Sequence, residues 1–154
     1  TFAMSYNESE KYILVLSHDE VVHLKCSMIN KMPGEMEDKF KNLMVGYAFM
    51  MGHPGKKLLF MGQEFAQLQE WSEARELDWY LLENPDHKHM QNWVKKLLKI
   101  RHSMNLTAAG VDLNGSMQMM LSAVFSALSE RAKTERIICF LYAILHRWNA
   151  ATTA

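Results

Sequence analysis

Residues 12–61 predict an α/β fold with parallel strands, on three observations. Tyr12 to Leu16 reads YILVL, a short unbroken apolar run of the kind a strand shows when both its faces are buried. Phe40, Leu43, Met44, Tyr47, Met50 and Met51 recur at the spacing that puts them on one side of a helix. Leu58 to Met61 reads LLFM, a second short apolar run. Strand, helix and strand in that order make a βαβ unit.

The first strand ends abruptly in Ser17-His18-Asp19-Glu20, with no Gly, Pro or Asn to form an ordinary turn. Spacing alone leaves two readings of this cluster open. It can be a capping box for the next helix. It can equally be a functional site, because parallel α/β folds, (β/α)₈ barrels above all, hold their reactive side chains at the carboxyl ends of strands. An Asp and a His there can hold sugar hydroxyls and offset positive charge developing on an anomeric carbon.

The helix beginning near Phe40 is expected to stop at Gly52 in a left-handed cap, with Pro54 just beyond. HPGKK, His53 to Lys57, reads as a tight turn into the second strand, which Gly62 closes. From Gln63 to Asn84 the chain is polar, with Phe65, Trp71, Trp79 and Tyr80 scattered through it, and a long, partly ordered loop is expected. Asn84-Pro85-Asp86 opens a helix, with a capping side chain, Pro in the first turn and an acid near the positive end of the dipole. Its apolar side is expected to comprise Met90, Trp93, Val94, Leu97, Leu98 and Arg101, and His87-Lys88-His89 is expected to be solvated. Met and aromatic stripes on both helices read as core.

After Asn114-Gly115, a turn signal, Met117, Met120, Leu121, Val124, Phe125 and Leu128 fit another helix, and Ile137 to Trp148 suits a helix or a buried strand. Thirteen methionines among 154 residues point to a loosely specified core.

Composition narrows the function classes. Lys plus Arg and Asp plus Glu are both 17, which gives no net charge to draw the chain onto nucleic acid or an anionic membrane. The longest dense apolar run, Ile137 to Leu145, is far short of a spanning helix, and no secretory leader is visible. Cys26 and Cys139 form no CxxC pattern and suit free thiols in a cytoplasmic setting. His18 and His23 do not make a zinc helix: a spacing of five turns the second ring about 140° from the first, where the metal motif needs four. No serine elbow, phosphate loop or GxGxxG is present.

The words themselves carry more than spacing does. YILVLSHDEVVH, then KMPG at Lys31 to Gly34, HPGKKLLFMGQEFAQ at His53 to Gln67, EW at Glu70 and Trp71, and ELDWYLL at Glu76 to Leu82 follow one another in register. In that order they closely resemble the 1,4-α-glucan branching enzymes of the α-amylase superfamily, from about Tyr6 to Arg101. The resemblance implies a partial (β/α)₈ TIM barrel, with Ile13–Leu16 as strand 7 and Leu58–Met61 as strand 8. Residues 1–103 would be the C-terminal portion of the catalytic barrel and 104–154 a divergent helical tail. Asp19 matches the third catalytic carboxylate, which stabilises the transition state, and His18 the substrate-binding histidine beside it. The family's reaction is a retaining double displacement that cleaves an α-1,4 link and re-forms it as an α-1,6 branch in glycogen biosynthesis. It implies an α-glucan partner and no cofactor or metal.

The family's nucleophile and acid/base lie on strands upstream of these residues, so Asp19 cannot act alone and the isolated fragment is expected to be inactive. Val15 stands where the family usually has Pro, Leu24 where it has Gly, and Met44 where Arg is common. The alternatives are a related α-amylase-type glycoside hydrolase, or a non-catalytic remnant or helical interaction module.

Overall fold

A computed structural model describes residues 12–103 apart from Pro54. The expected tail, with its stripe from Met117 to Leu128 and its segment from Ile137 to Trp148, lies outside the described residues.

Strand β1, Ile13–Leu16, pairs in parallel with β2, Lys56–Leu59, in a register that sets Ile13 opposite Lys56 and Leu16 opposite Leu59. Helix α1, Met36–Gly52, connects them, and α2, Pro85–Ser103, follows. The described fold is thus mixed α/β, with the strand–helix–strand order the periodicities predicted. Strand β2 begins two residues earlier than its apolar run, because main-chain pairing is indifferent to side-chain polarity. Lys56 projects from the exposed side, while the Lys57 ammonium donates to the carbonyls of His53 and Gly55, each at 2.8 Å. The Phe60 N–H still donates to the Leu16 carbonyl at 3.0 Å, so the ladder runs on past the strand's formal end.

The expectation that both strand faces are buried does not hold. Leu16 and Leu59 pack against the helices, whereas Ile13 and Val15 are about half exposed, at 54% and 49%. A two-stranded sheet backed by helices on one side leaves its other face without cover among the described residues.

The core is where the stripes put it. Phe40, Leu43, Met44, Tyr47 and Met51 of α1 meet Met90, Trp93, Val94 and Leu97 of α2 around Ile29. The apolar side of α2 is narrower than expected, since Leu98 is half exposed. Helix α1 also ends differently. Gly52 is its last helical residue, and the cap is His53 in extended conformation, φ −68° and ψ 150°. The left-handed residue comes later, at Gly55 with φ 77°, where a Cβ would sit 2.7 Å from the Tyr12 ring. This is the tight turn expected of HPGKK.

Residues 63–84 are more ordered than a loop. They contain 3₁₀ turns at Gln63–Phe65 and Trp79–Glu83, and Gln63, Phe65, Ala66 and Leu81 are buried. His87, expected to be solvated, is buried as well. Its Nδ1 donates to the Phe65 carbonyl at 2.8 Å and its ring meets Phe40 edge-on at 5.0 Å. A donor–acceptor pair formed across 22 residues leaves no periodic trace in either segment, which is why the first-turn reading missed it.

Candidate active site

Strand pairing brings two side chains together. Because β1 and β2 run parallel in register, their carboxyl ends lie side by side, and the residues that follow, Ser17 to Glu20 and Phe60, share one end of the sheet. His18–Glu20 forms a 3₁₀ turn. The capping-box reading finds no support there: Ser17 makes no side-chain cap bond, and the next α-helix starts only at Met36. The Ser17 hydroxyl instead donates to Oδ2 of Asp19 at 3.2 Å.

Nε2 of His18 lies 3.1 Å from Oδ1 of Asp19, and both side chains stay more than half exposed. The imidazole is set between two rings, Phe60 at 6.0 Å and Trp71, edge-on, at 6.2 Å between centroids. Phe60 and Trp71 themselves meet at 5.3 Å, nearly perpendicular. An accessible carboxylate fixed by a hydroxyl and an imidazole, on an aromatic wall, can accept hydrogen bonds from ligand hydroxyls.

The neighbouring acids are committed elsewhere. Glu20 is held by Lys31, whose ammonium donates to its carboxylate at 3.2 Å and to its carbonyl. Glu70 accepts from the Cys26 N–H at 2.7 Å and the Leu24 N–H at 3.1 Å, and the Trp71 N–H donates to the Val21 carbonyl at 2.8 Å. The Cys26 N–H is the main cause that holds the Glu70 carboxyl below its ordinary range, helped by the Leu24 N–H and the nearby His23. Glu70-Trp71 thereby clips residues 21–26, the segment leading away from Asp19. Neither EW nor KMPG has a periodicity that would have disclosed its role. His23 does not join the cluster. It is almost fully exposed, 3.9 Å from Glu70.

The clipped segment is strained. Leu24 (φ 68°) and Cys26 (φ 64°) both sit in the left-handed region, which costs a residue bearing a Cβ about 1–2 kcal/mol. Leu24 is also 84% exposed, so it gains little by packing. Leu24→Gly, which restores the residue usual in the resembling sequences, is therefore expected to stabilise the chain by about 0.5–1 kcal/mol after the added backbone entropy. Urea unfolding checks this; a lower midpoint would show that the Leu24 side chain contributes more than its strain costs.

No protein-family profile matches the chain. Comparison with curated proteins finds the 1,4-alpha-glucan branching enzyme GlgB of Butyrivibrio fibrisolvens, 69% identical over 100 residues, which is 65% of this chain and 16% of that protein. The enzyme of the same name from Roseobacter denitrificans is 60% identical over 97 residues, 63% of this chain and 13% of the relative. That of Bacillus caldolyticus is 55% identical over 98 residues, 64% and 15% respectively. The chain thus spans about one sixth or less of the length of the curated relatives it matches. Over close to two thirds of its residues it belongs with the 1,4-alpha-glucan branching enzymes and corresponds to a fragment of them.

Proposed function

We propose that this chain supplies part of the substrate site of a cytoplasmic 1,4-α-glucan branching enzyme, with Asp19 as the transition-state-stabilising carboxylate and His18 as the donor beside it. The observation that carries the reading is the pairing of His18 with Asp19 at the carboxyl end of a parallel strand, within a stretch up to 69% identical to such enzymes. In this reading β1 and β2 are two strands of a (β/α)₈ barrel, residues 1–103 are the C-terminal portion of that barrel, and 104–154 are a separate helical tail. The partner is an α-glucan chain.

The chemistry follows from what the site holds. Glu20 and Glu70 are taken up by Lys31 and by backbone amides, which leaves Asp19 as the carboxylate at this strand end able to meet a sugar. A retaining double displacement needs a nucleophile and an acid/base besides. Asp19 and His18 therefore bind and distort one sugar unit, their hydrogen bonds strengthening as the ring flattens and charge develops. The covalent steps belong to carboxylates on polypeptide upstream of residue 1.

The test is an assay for α-1,6 branch formation on amylose, applied to this chain and to the chain extended upstream by the remainder of the barrel. Branching is expected only from the extended protein, and Asp19→Ala should lower its rate by about 10²-fold or more. Short linear sugars as the product would turn the reading to a hydrolase, and branching indifferent to Asp19 would overturn it.

A further inference from the structure

Residues 24–26 form a small concavity edged by main-chain N–H groups, and the carboxylate of Glu70 fills it. Its Oε1 accepts from the Cys26 N–H at 2.7 Å and its Oε2 from the Leu24 N–H at 3.1 Å. Leu24 and Cys26 hold left-handed φ values of 68° and 64°, and left-handed residues in a turn aim neighbouring amides at one anion. That conformation is unfavourable for residues bearing a Cβ, so an outside partner has to hold the segment in it. Hydrogen bonds from N–H to an ionised carboxylate are roughly twice as strong as neutral ones. Glu70 supplies two of them, from 44 and 46 residues away.

The same dipeptide reaches the strand-end pair by two routes. Along the main chain, the Trp71 N–H donates to the Val21 carbonyl at 2.8 Å, and the Val21 N–H donates to the His18 carbonyl at 2.9 Å. Val21 itself is buried. Through side chains, the Trp71 ring meets the His18 imidazole at 6.2 Å and Phe60 at 5.3 Å. Arg75 steadies the dipeptide further, its guanidinium donating to the Glu70 carbonyl at 3.2 Å. The turn His18–Glu20 has no buried residue of its own. Its position is therefore set by these bonds and by the hold of Lys31 on Glu20.

Both oxygens of Glu70 are taken by main-chain N–H groups, so its part in the site is indirect. We infer that Glu70 is a positioning residue of this site: by filling the concavity at residues 24–26 it fixes Val21 and Trp71, and through them the orientation of His18 and Asp19 toward the substrate. This rests on the glucan reading above and adds a residue that acts through the pair. The requirement is strict, because a reacting constellation has to be held within about 0.5 Å of its productive geometry.

Glu70→Gln tests this with the size of the side chain kept. Its oxygen can accept from one of the two amides, and its NH₂ group then faces the other, donor to donor. In the ¹⁵N-labelled 154-residue chain, the amide signals of Leu24, Cys26, Val21 and Asp19 and the His18 ring signals are expected to shift together, with the Trp93 indole signal in place. Shifts confined to residues 24–26 would show that the acid holds only its own turn, and would overturn the inference. A displaced Trp93 indole would overturn it as well, by revealing a general loss of fold. In the branching protein extended upstream, Glu70→Gln should lower the rate by about tenfold, and should cost far less when Asp19 is already Ala. An equal loss in both backgrounds would mean that Glu70 acts independently of Asp19, against the inference. Absence of branching from the extended protein with Glu70 and Asp19 intact would sink the glucan reading alone, and the NMR shifts would still decide whether Glu70 sets the strand-end pair.

Discussion

Arg101→Met is expected to destabilise the chain by about 3 kcal/mol or more, a loss of Tm on the order of 10 °C for a chain this size. Arg101 is 5% exposed at the end of α2, and its guanidinium donates to the carbonyls of Met51 at 2.7 Å, His53 at 3.2 Å and Gly55 at 2.5 Å. These carbonyls belong to the end of α1 and the turn after it, where a helix leaves acceptors without intrahelical donors. Arg101 therefore caps one helix from another and ties the turn that launches β2. Lys57 shares two of the same carbonyls, and burial, aided by the Arg101 charge, pushes its ammonium down to about 7. A methionine keeps much of the packing and removes every donor, so the loss reports the hydrogen bonds. Leu98→Ala, on the half-exposed side of the same helix, is the control and should cost under about 1 kcal/mol. Urea unfolding that gave the two variants equal midpoints would refute the capping role.

Trp93→Ala is expected to cost about 3–5 kcal/mol, the range for emptying a large aromatic site in a core. Trp93 is 3% exposed in the cluster between α1 and α2, and its Nε1 donates to the Met44 carbonyl at 3.0 Å. Two contributions are lost together, the buried ring and its hydrogen bond from α2 to α1. Trp93→Phe separates them. It keeps most of the apolar area, and the Met44 carbonyl lies inside α1, where a helical N–H can still serve it. Phe should therefore cost less than half as much as Ala. Thermal unfolding of both variants checks the ratio, and equal losses would mean that the Nε1 bond dominates.

Much of this was legible in the residues. The α1 stripe from Phe40 to Met51 is buried throughout, and the α2 stripe is buried apart from Leu98. Burial of a continuous helical face is a local, periodic constraint, and periodicity is what a sequence displays. The branching-enzyme resemblance was carried by ordered words, and comparison over about 100 residues found it again. The sheet was less legible. The LLFM run suggested where a strand lies but not its register, which follows from pairing with β1.

The site divides in the same way. His18 and Asp19 were visible because they interrupt an apolar run. Phe60, Trp71 and the clip made by Glu70 were not, since each reaches its partner across tens of residues. The buried His87 and the capping Arg101 share that property. Each is a polar side chain whose burial depends on a carbonyl contributed by another element. Sequence alone determined the helical faces, the strand–helix–strand order, the strand-end polar cluster and the branching-enzyme resemblance. Only the tertiary structure decided which polar groups are satisfied and by whom, because hydrogen bonds between distant segments follow geometry and leave no pattern along the chain.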